Sequence, residues 1–107
     1  MPVSAHVVVP ADAVRELVEV GALALRRHAE ARARQPQRAA SVYLRQGIAC
    51  ARAIARLARQ QPAWQPAAER LLAEVIATAR TAEAELAADG RNSAPYLGIV
   101  IAAVALR

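Results

Sequence analysis

Lysine and phenylalanine are absent from the chain, and cysteine, methionine and tryptophan occur once each. A single cysteine excludes an internal disulfide and any zinc site built on paired cysteines. Only Tyr43, Trp64 and Tyr96 are aromatic. That scarcity argues against a single-strand reader, which needs successive rings for the bases to stack on. No acid lies between Gln35 and Pro66. No Gly-rich phosphate loop, Gly-x-Ser-x-Gly turn or dinucleotide fingerprint occurs, which removes the common phosphate-cradling and acyl-transfer signatures. The longest apolar run, Tyr96–Leu106, covers about half of a bilayer core at ~1.5 Å per residue. It therefore reads as a buried helix and not a span. The N-terminus lacks a positive n-region followed by a long apolar run, so no secretory signal is expected and the expected location is cytoplasmic.

What remains is alanine, leucine and arginine. The apolar fraction is 56%, much of it Ala, so the core must form by close approach of small side chains. Ala, Leu and Arg all favour helix. A chain of 107 residues makes one domain with a modest core. The expected fold is all-α: a small helical bundle of three long helices and a short apolar C-terminal helix, spanning residues 1–107 as a single helical domain.

Residues 3–9 (Val-Ser-Ala-His-Val-Val-Val) are extended and β-branched, and read as a short N-terminal β-strand at an edge or across a dimer axis. Pro10 suits a first helical turn, with Asp12 and Glu16 near the positive end. Val14, Leu17, Gly21, Ala24 and His28 step by 3 and 4, and Val18 and Leu25 widen the face. The first helix is expected at about 11–34, ended by Gln35-Pro36. The second is expected at about 38–60. Its seams are Leu44, Ile48, Ala51, Ala55, Ala58 and Tyr43, Gly47, Cys50, Ile54, Leu57. Pro62 and Pro66 bracket a turn holding Trp64, which reads as a lid on the core. The third helix is expected at about 66–89, with Leu72, Val75, Ala79, Ala82 and Leu86 inward and Gly90 after its end. Ser93 is the expected cap of a last helix over 94–106, although β-branched Ile99, Val100, Ile101 and Val104 also suit a strand over 97–104. That last segment is apolar nearly all round, and burying it in so small a chain points to a homo-oligomer.

Charge is unevenly placed. Residues 1–25 sum to −2, residues 26–60 to +8 and residues 61–107 to −1. A GC-rich codon bias accounts for Arg in place of Lys, but not for position. Arg38, Arg45, Arg52 and Arg59 recur every seven residues and Arg56 joins them. Seven residues is nearly two turns, so these guanidiniums share one stripe. Such a face needs a carboxylate layer from Glu69, Glu74, Glu83 and Glu85, or an anionic partner. Phosphate contacts require only charge and bidentate geometry.

Other constellations carry less chemistry. Cys50 falls on an apolar seam, where a thiol is an inert small hydrophobe. His28-Ala-Glu30 matches half of a zinc deaminase signature whose Cys-x-x-Cys half one cysteine forbids. No Glu has a His three residues later, so a di-iron bundle is not expected. Neither a metal nor another cofactor is called for. Arg70–Glu74 and Arg80–Glu83 read as intrahelical pairs. Val7-Val8-Val9-Pro10, with Val14 and Leu17, resembles over residues 3–18 the opening of ribbon-helix-helix repressors, which implies a strand paired across a dimer. The first helix is longer than that pattern and the strand offers little to base edges. Gly47-Ile48 followed by Ile54 and Leu57 loosely resembles a helix-turn-helix reading unit, with its apolar spacing off by one. Neither resemblance identifies a family.

The expected function is a non-enzymatic binding module that contacts a polyanion, above all double-stranded nucleic acid, through Arg38, Arg45, Arg52, Arg56 and Arg59, flanked by Arg32 and Arg34. The alternative is an oligomeric structural or adaptor protein whose Arg face docks acidic helices of a protein partner. No membrane partner is expected.

Overall fold

The computed structural model describes residues 11–34 and 40–107. Among them are four α-helices and no strand: α1 (Ala11–Arg34), α2 (Ser41–Ala58), α3 (Gln65–Ala88) and α4 (Ala94–Val104). The expected N-terminal strand, and with it the ribbon-helix-helix resemblance, lies outside the described residues, as does Arg38. Residues 97–104 are helix. The helix-turn-helix resemblance fails, because α2 runs unbroken through Gly47.

Proline and glycine set the boundaries. α2 stops at Ala58, short of the expected residue 60. Gln61 precedes Pro62 and takes φ −139, ψ 90, the extended region to which the proline ring forces its neighbour. A 3-10 turn, Pro62–Trp64, then leads directly into α3. α3 ends in a Schellman closure. Gly90 stands at φ +68, the Gly90 N–H donates to the Ala87 carbonyl at 3.0 Å and the Arg91 N–H to the Leu86 carbonyl at 2.8 Å. Glycine suits that left-handed position because a Cβ is disfavoured there. At the start of α4 the expected cap is displaced by one residue. Ser93 makes no side-chain cap bond. Instead Asn92 Oδ1 accepts from the Ala94 N–H at 3.0 Å, an Asx-type turn that satisfies one free donor.

The helices run up, down, up and down. Gly21 lies on Leu71 and Gly47 on Val75, while Arg32 reaches Glu85 and His28 reaches Tyr96. These pairs put α1 parallel to α3 and set the start of α4 against the ends of α1 and α3, and α2 is antiparallel to α3, since Gly47 meets Val75 while Ala55 and Arg59 lie beside Gln65 and Ala68. The core comprises Val14 of α1, Leu44, Ile48 and Ile54 of α2, Leu72 and Val75 of α3, and Tyr96 and Ile99 of α4, with alanines filling between them. Each fully buried large aliphatic contributes about 1.5–3 kcal/mol. The inward faces match the 3–4 stepping, with one exception. Val18, expected to widen the face of α1, is 39% exposed. α1 packs on a narrow ridge of Val14, Gly21, Ala24 and His28, and Val18 lies at its rim.

Glycine is what lets the axes approach. A Cβ at Gly47 would stand 2.8 Å from Val75 Cγ2, and one at Gly21 would stand 2.6 Å from Leu71 Cδ2. Leu71 can swing its terminal carbons away, whereas the branched Val75 is stiff. At Gly98 nothing lies within 4 Å. Gly47→Ala should therefore lose about 1 kcal/mol of stability, overpacking outweighing the gain in helix propensity, while Gly98→Ala should gain up to about 1 kcal/mol. Urea unfolding of both variants checks this pair. Equal shifts of the same sign would contradict the packing account.

Candidate functional site

Two features stand out: an arginine face along α2 and a buried polar cluster where the ends of α1 and α3 meet the start of α4, beside Ala40. Arg45, Arg52, Arg56 and Arg59 are all exposed. They form a band along one side of α2, a little over a quarter-turn from the buried seam of Leu44, Ile48, Ala51 and Ile54. From Arg45 to Arg59 the face is about 21 Å long at ~1.5 Å per residue. Among the described residues, ion pairs within 4.0 Å are Arg15–Asp12 at 3.9 Å and Arg32–Glu85 at 3.0 Å. None involves the face, and residues 1–10 and 35–39 contain no acid. The carboxylate layer envisaged from Glu69, Glu74, Glu83 and Glu85 does not form. Glu69 shares a groove with Arg52, Arg56 and Arg59, yet its Oε1 accepts from Gln65 Nε2 at 3.3 Å. The expected Arg70–Glu74 and Arg80–Glu83 pairs are likewise not closed. These side chains are solvated, and such pairs are worth only a few tenths of a kcal/mol.

The flanking residues separate. Arg34 is exposed at the end of α1, where a cation suits the negative end of the helix. Arg32 turns away from the face. Its guanidinium bonds Glu85 Oε2 at 3.0 Å, its side chain is only 20% exposed, and its Cζ lies 5.8 Å from the centre of the Tyr96 ring. Arg32 is a structural tie between α1, α3 and α4, and leaves the candidate interface.

Tyr96 anchors the polar cluster. His28 Nε2 and Tyr96 Oη are 2.8 Å apart, both residues buried. The phenol donates in one tautomer and accepts in the other. The rings meet edge to face with centroids 5.5 Å apart, a favoured aromatic geometry. Burial, and after it the Arg32 charge, holds the His28 imidazole below its ordinary value. Burial pushes the Tyr96 phenol up, opposed by Arg32 and the Ala40 backbone. His28 is thus a neutral, hydrogen-bonded core residue. The sequence placed it on the inner face of α1 but carried no sign of its partner 68 positions away.

The remaining candidates are structural. Cys50 is buried and burial raises its thiol pKa, which keeps the weakly nucleophilic protonated form. Trp64 packs against the core as a lid, and its indole Nε1 is buried with no partner. Among the described residues no group of three or more His, Cys, Asp or Glu side chains is placed to hold a metal ion. No helix among them is long and apolar enough to cross a membrane.

Comparisons with protein-family models, with curated proteins and with solved structures find no match to this chain.

The His28–Tyr96 pair makes stability depend on pH. Unfolded, the imidazole titrates near 6.5; folded, it titrates lower. Between those values the unfolded state binds the extra proton. Stability from this source is therefore full above the unfolded value, and falls as pH drops from it toward the lowered native one. Urea unfolding at about pH 8 and about pH 5 should show the loss, and His28→Gln should flatten it. Tyr96→Phe should cost about 1–3 kcal/mol, because it strands a buried ring nitrogen. A Tyr96→Phe variant as stable as the parent would contradict the cluster's role.

Proposed function

We propose that the protein is a non-enzymatic binding module that holds a polyanion, double-stranded nucleic acid, on the arginine face of α2. The observation that carries this reading is four exposed guanidiniums, at Arg45, Arg52, Arg56 and Arg59, with no carboxylate within ion-pair distance among the described residues. Arg34 is a flanking contact. Guanidinium forks match phosphate bidentately, and counterion release from a duplex supplies affinity without any base code. A face of about 21 Å meets about twelve phosphates of a duplex at one charge per ~1.7 Å, so positions for the phosphates are not limiting. Like-charged neighbours Arg52–Arg56 and Arg56–Arg59, four and three residues apart, also repel each other in the bare chain, and an anion relieves that. Cys50, single and buried, suits the reducing cytoplasm, where we place the module.

A second reading, an adaptor whose Arg face docks the acidic helices of a protein partner within an oligomer, has one observation of its own. Leu97, Ile101 and Val104 of α4 are 51%, 64% and 41% exposed. They step by 4 and 3 along one face, and Ala94–Leu106 carries no charge. Such a face is covered most simply by its own copy in a second chain.

Fluorescence anisotropy with a labelled duplex tests the first reading. Affinity should fall with salt, with a log–log slope of about −4.5 for five phosphate contacts, Arg34 included. Arg45→Ala/Arg52→Ala should reduce that slope by about two. Binding that ignores salt, or a double variant that binds as the parent does, refutes it. The second reading predicts a dimer or larger species in light scattering that Ile101→Glu converts to monomer, with no retention on heparin. A parent chain that is monomeric throughout removes it.

A further inference from the structure

The polyanion reading leaves one feature of the same region without a use. Between α2 and α3 runs a groove of about 640 Å³ with an apolar floor. A duplex surface of phosphate and sugar gains nothing from such a floor. We infer that this groove is a binding site for a small amphipathic anion, a medium-chain alkyl carboxylate taken up as a monomer. Its chain lies along Ala55 and Ala73 above the buried Ala51, Ala68 and Leu72, and its acid meets the guanidiniums of Arg56 and Arg59.

The space exists because of side-chain size. α2 and α3 touch closely where Gly47 meets Val75. Further along α2, Ala51 and Ala55 look toward Ala68, Leu72 and Ala73. Ala51, Ala68 and Leu72 are buried at its bottom, and Ala55 and Ala73 are too short to close the space above them. Leu106 and Arg107 border the same groove. It is lined over residues 51–59 of the α2 segment and 65–73 of the α3 segment, about 12 Å of helix. The volume falls in the range of small-molecule sites, about 300–1,000 Å³.

Charge and size choose the occupant. Arg52, Arg56 and Arg59 face the groove against one acidic side chain, Glu69, whose Oε1 already accepts from Gln65. A free carboxylate therefore finds unpaired, bidentate donors at the edge of an apolar trough. The lined stretch is about 12 Å of helix, which suits an alkyl chain of medium length. A bilayer surface is flat and cannot enter a concave slot. The inference does not rest on the nucleic-acid reading, since it concerns the floor as much as the guanidiniums.

Calorimetric titration of the full chain with decanoate below its micelle concentration tests it, with Trp64 emission as a second readout. Trp64 is the single tryptophan and neighbours the groove residue Gln65. Decanoate should bind saturably at one per chain, each methylene removed should weaken binding about fourfold, and decyltrimethylammonium should not bind. Arg56→Gln/Arg59→Gln and the groove-filling Ala73→Leu should each weaken decanoate at least tenfold. Ala73 is exposed and leucine favours helix, so that variant retains the fold, which circular dichroism checks. Ala73→Leu keeps every guanidinium, so its duplex binding reports on the other reading separately. The inference is overturned by absence of saturable heat with decanoate, by equal binding of the cationic analogue, or by parent-like decanoate binding in Ala73→Leu. Sedimentation with phosphatidylglycerol vesicles without uptake of monomeric decanoate overturns it as well.

Discussion

Close helix approach through small side chains is the constraint on which this molecule depends. With no phenylalanine and few other rings, the interior cannot be filled by bulk. It is closed instead by bringing helix axes together where Gly21 meets Leu71 and Gly47 meets Val75. Alanines at 51, 58, 68, 79, 82 and 103 continue the same solution along each contact. Packing of this kind gains dispersion from many short contacts, and it fails locally wherever alanines face each other without a larger neighbour. The tight contact at Gly47 and the groove beside Ala55 are two outcomes of one composition.

Among the described residues, the side-chain polar contacts that tie helices together gather in one place. His28, Tyr96, Arg32 and Glu85 join the ends of α1 and α3 to the start of α4. A hydrogen-bonded pair in a low-dielectric interior fixes geometry more strictly than apolar contact does, because any other arrangement strands a donor or acceptor. α4 is short and apolar on most of its surface, so apolar packing alone leaves its rotation loosely defined. The Tyr96 hydroxyl supplies the register that Ile99 and Ala103 then follow into the core.

Most of the fold was legible in the chain because its signals are local. Stepping by 3 and 4 placed the inner faces, the proline and glycine boundaries fell within a few residues of those expected, and Gly90 occupies the left-handed position its place after Leu86 suggested. Capping was less legible, since Asn92 and Ser93 are both competent and only the chain path chooses between them. The arginine face was legible as a periodicity. That Glu69 would turn to Gln65 and Glu85 to Arg32 was not, because a carboxylate's partner depends on how helices rotate against each other. Arg32 shows the limit most clearly. On the page it belongs to a run of basic residues, and in three dimensions it belongs to Tyr96 and Glu85. The groove was invisible for the same reason, being space that no residue type announces.

The bare arginine face has a further consequence for how dissolved ions act on this chain. Guanidiniums one turn apart on α2 push on one another, so the unliganded helix carries an electrostatic load that mobile counterions lighten. Those same counterions must leave when a multivalent anion arrives. Ionic strength thus pulls in opposite directions: it firms the isolated bundle while loosening its hold on any charged companion. A solution that best preserves the folded particle is one in which its most conspicuous surface is least adhesive.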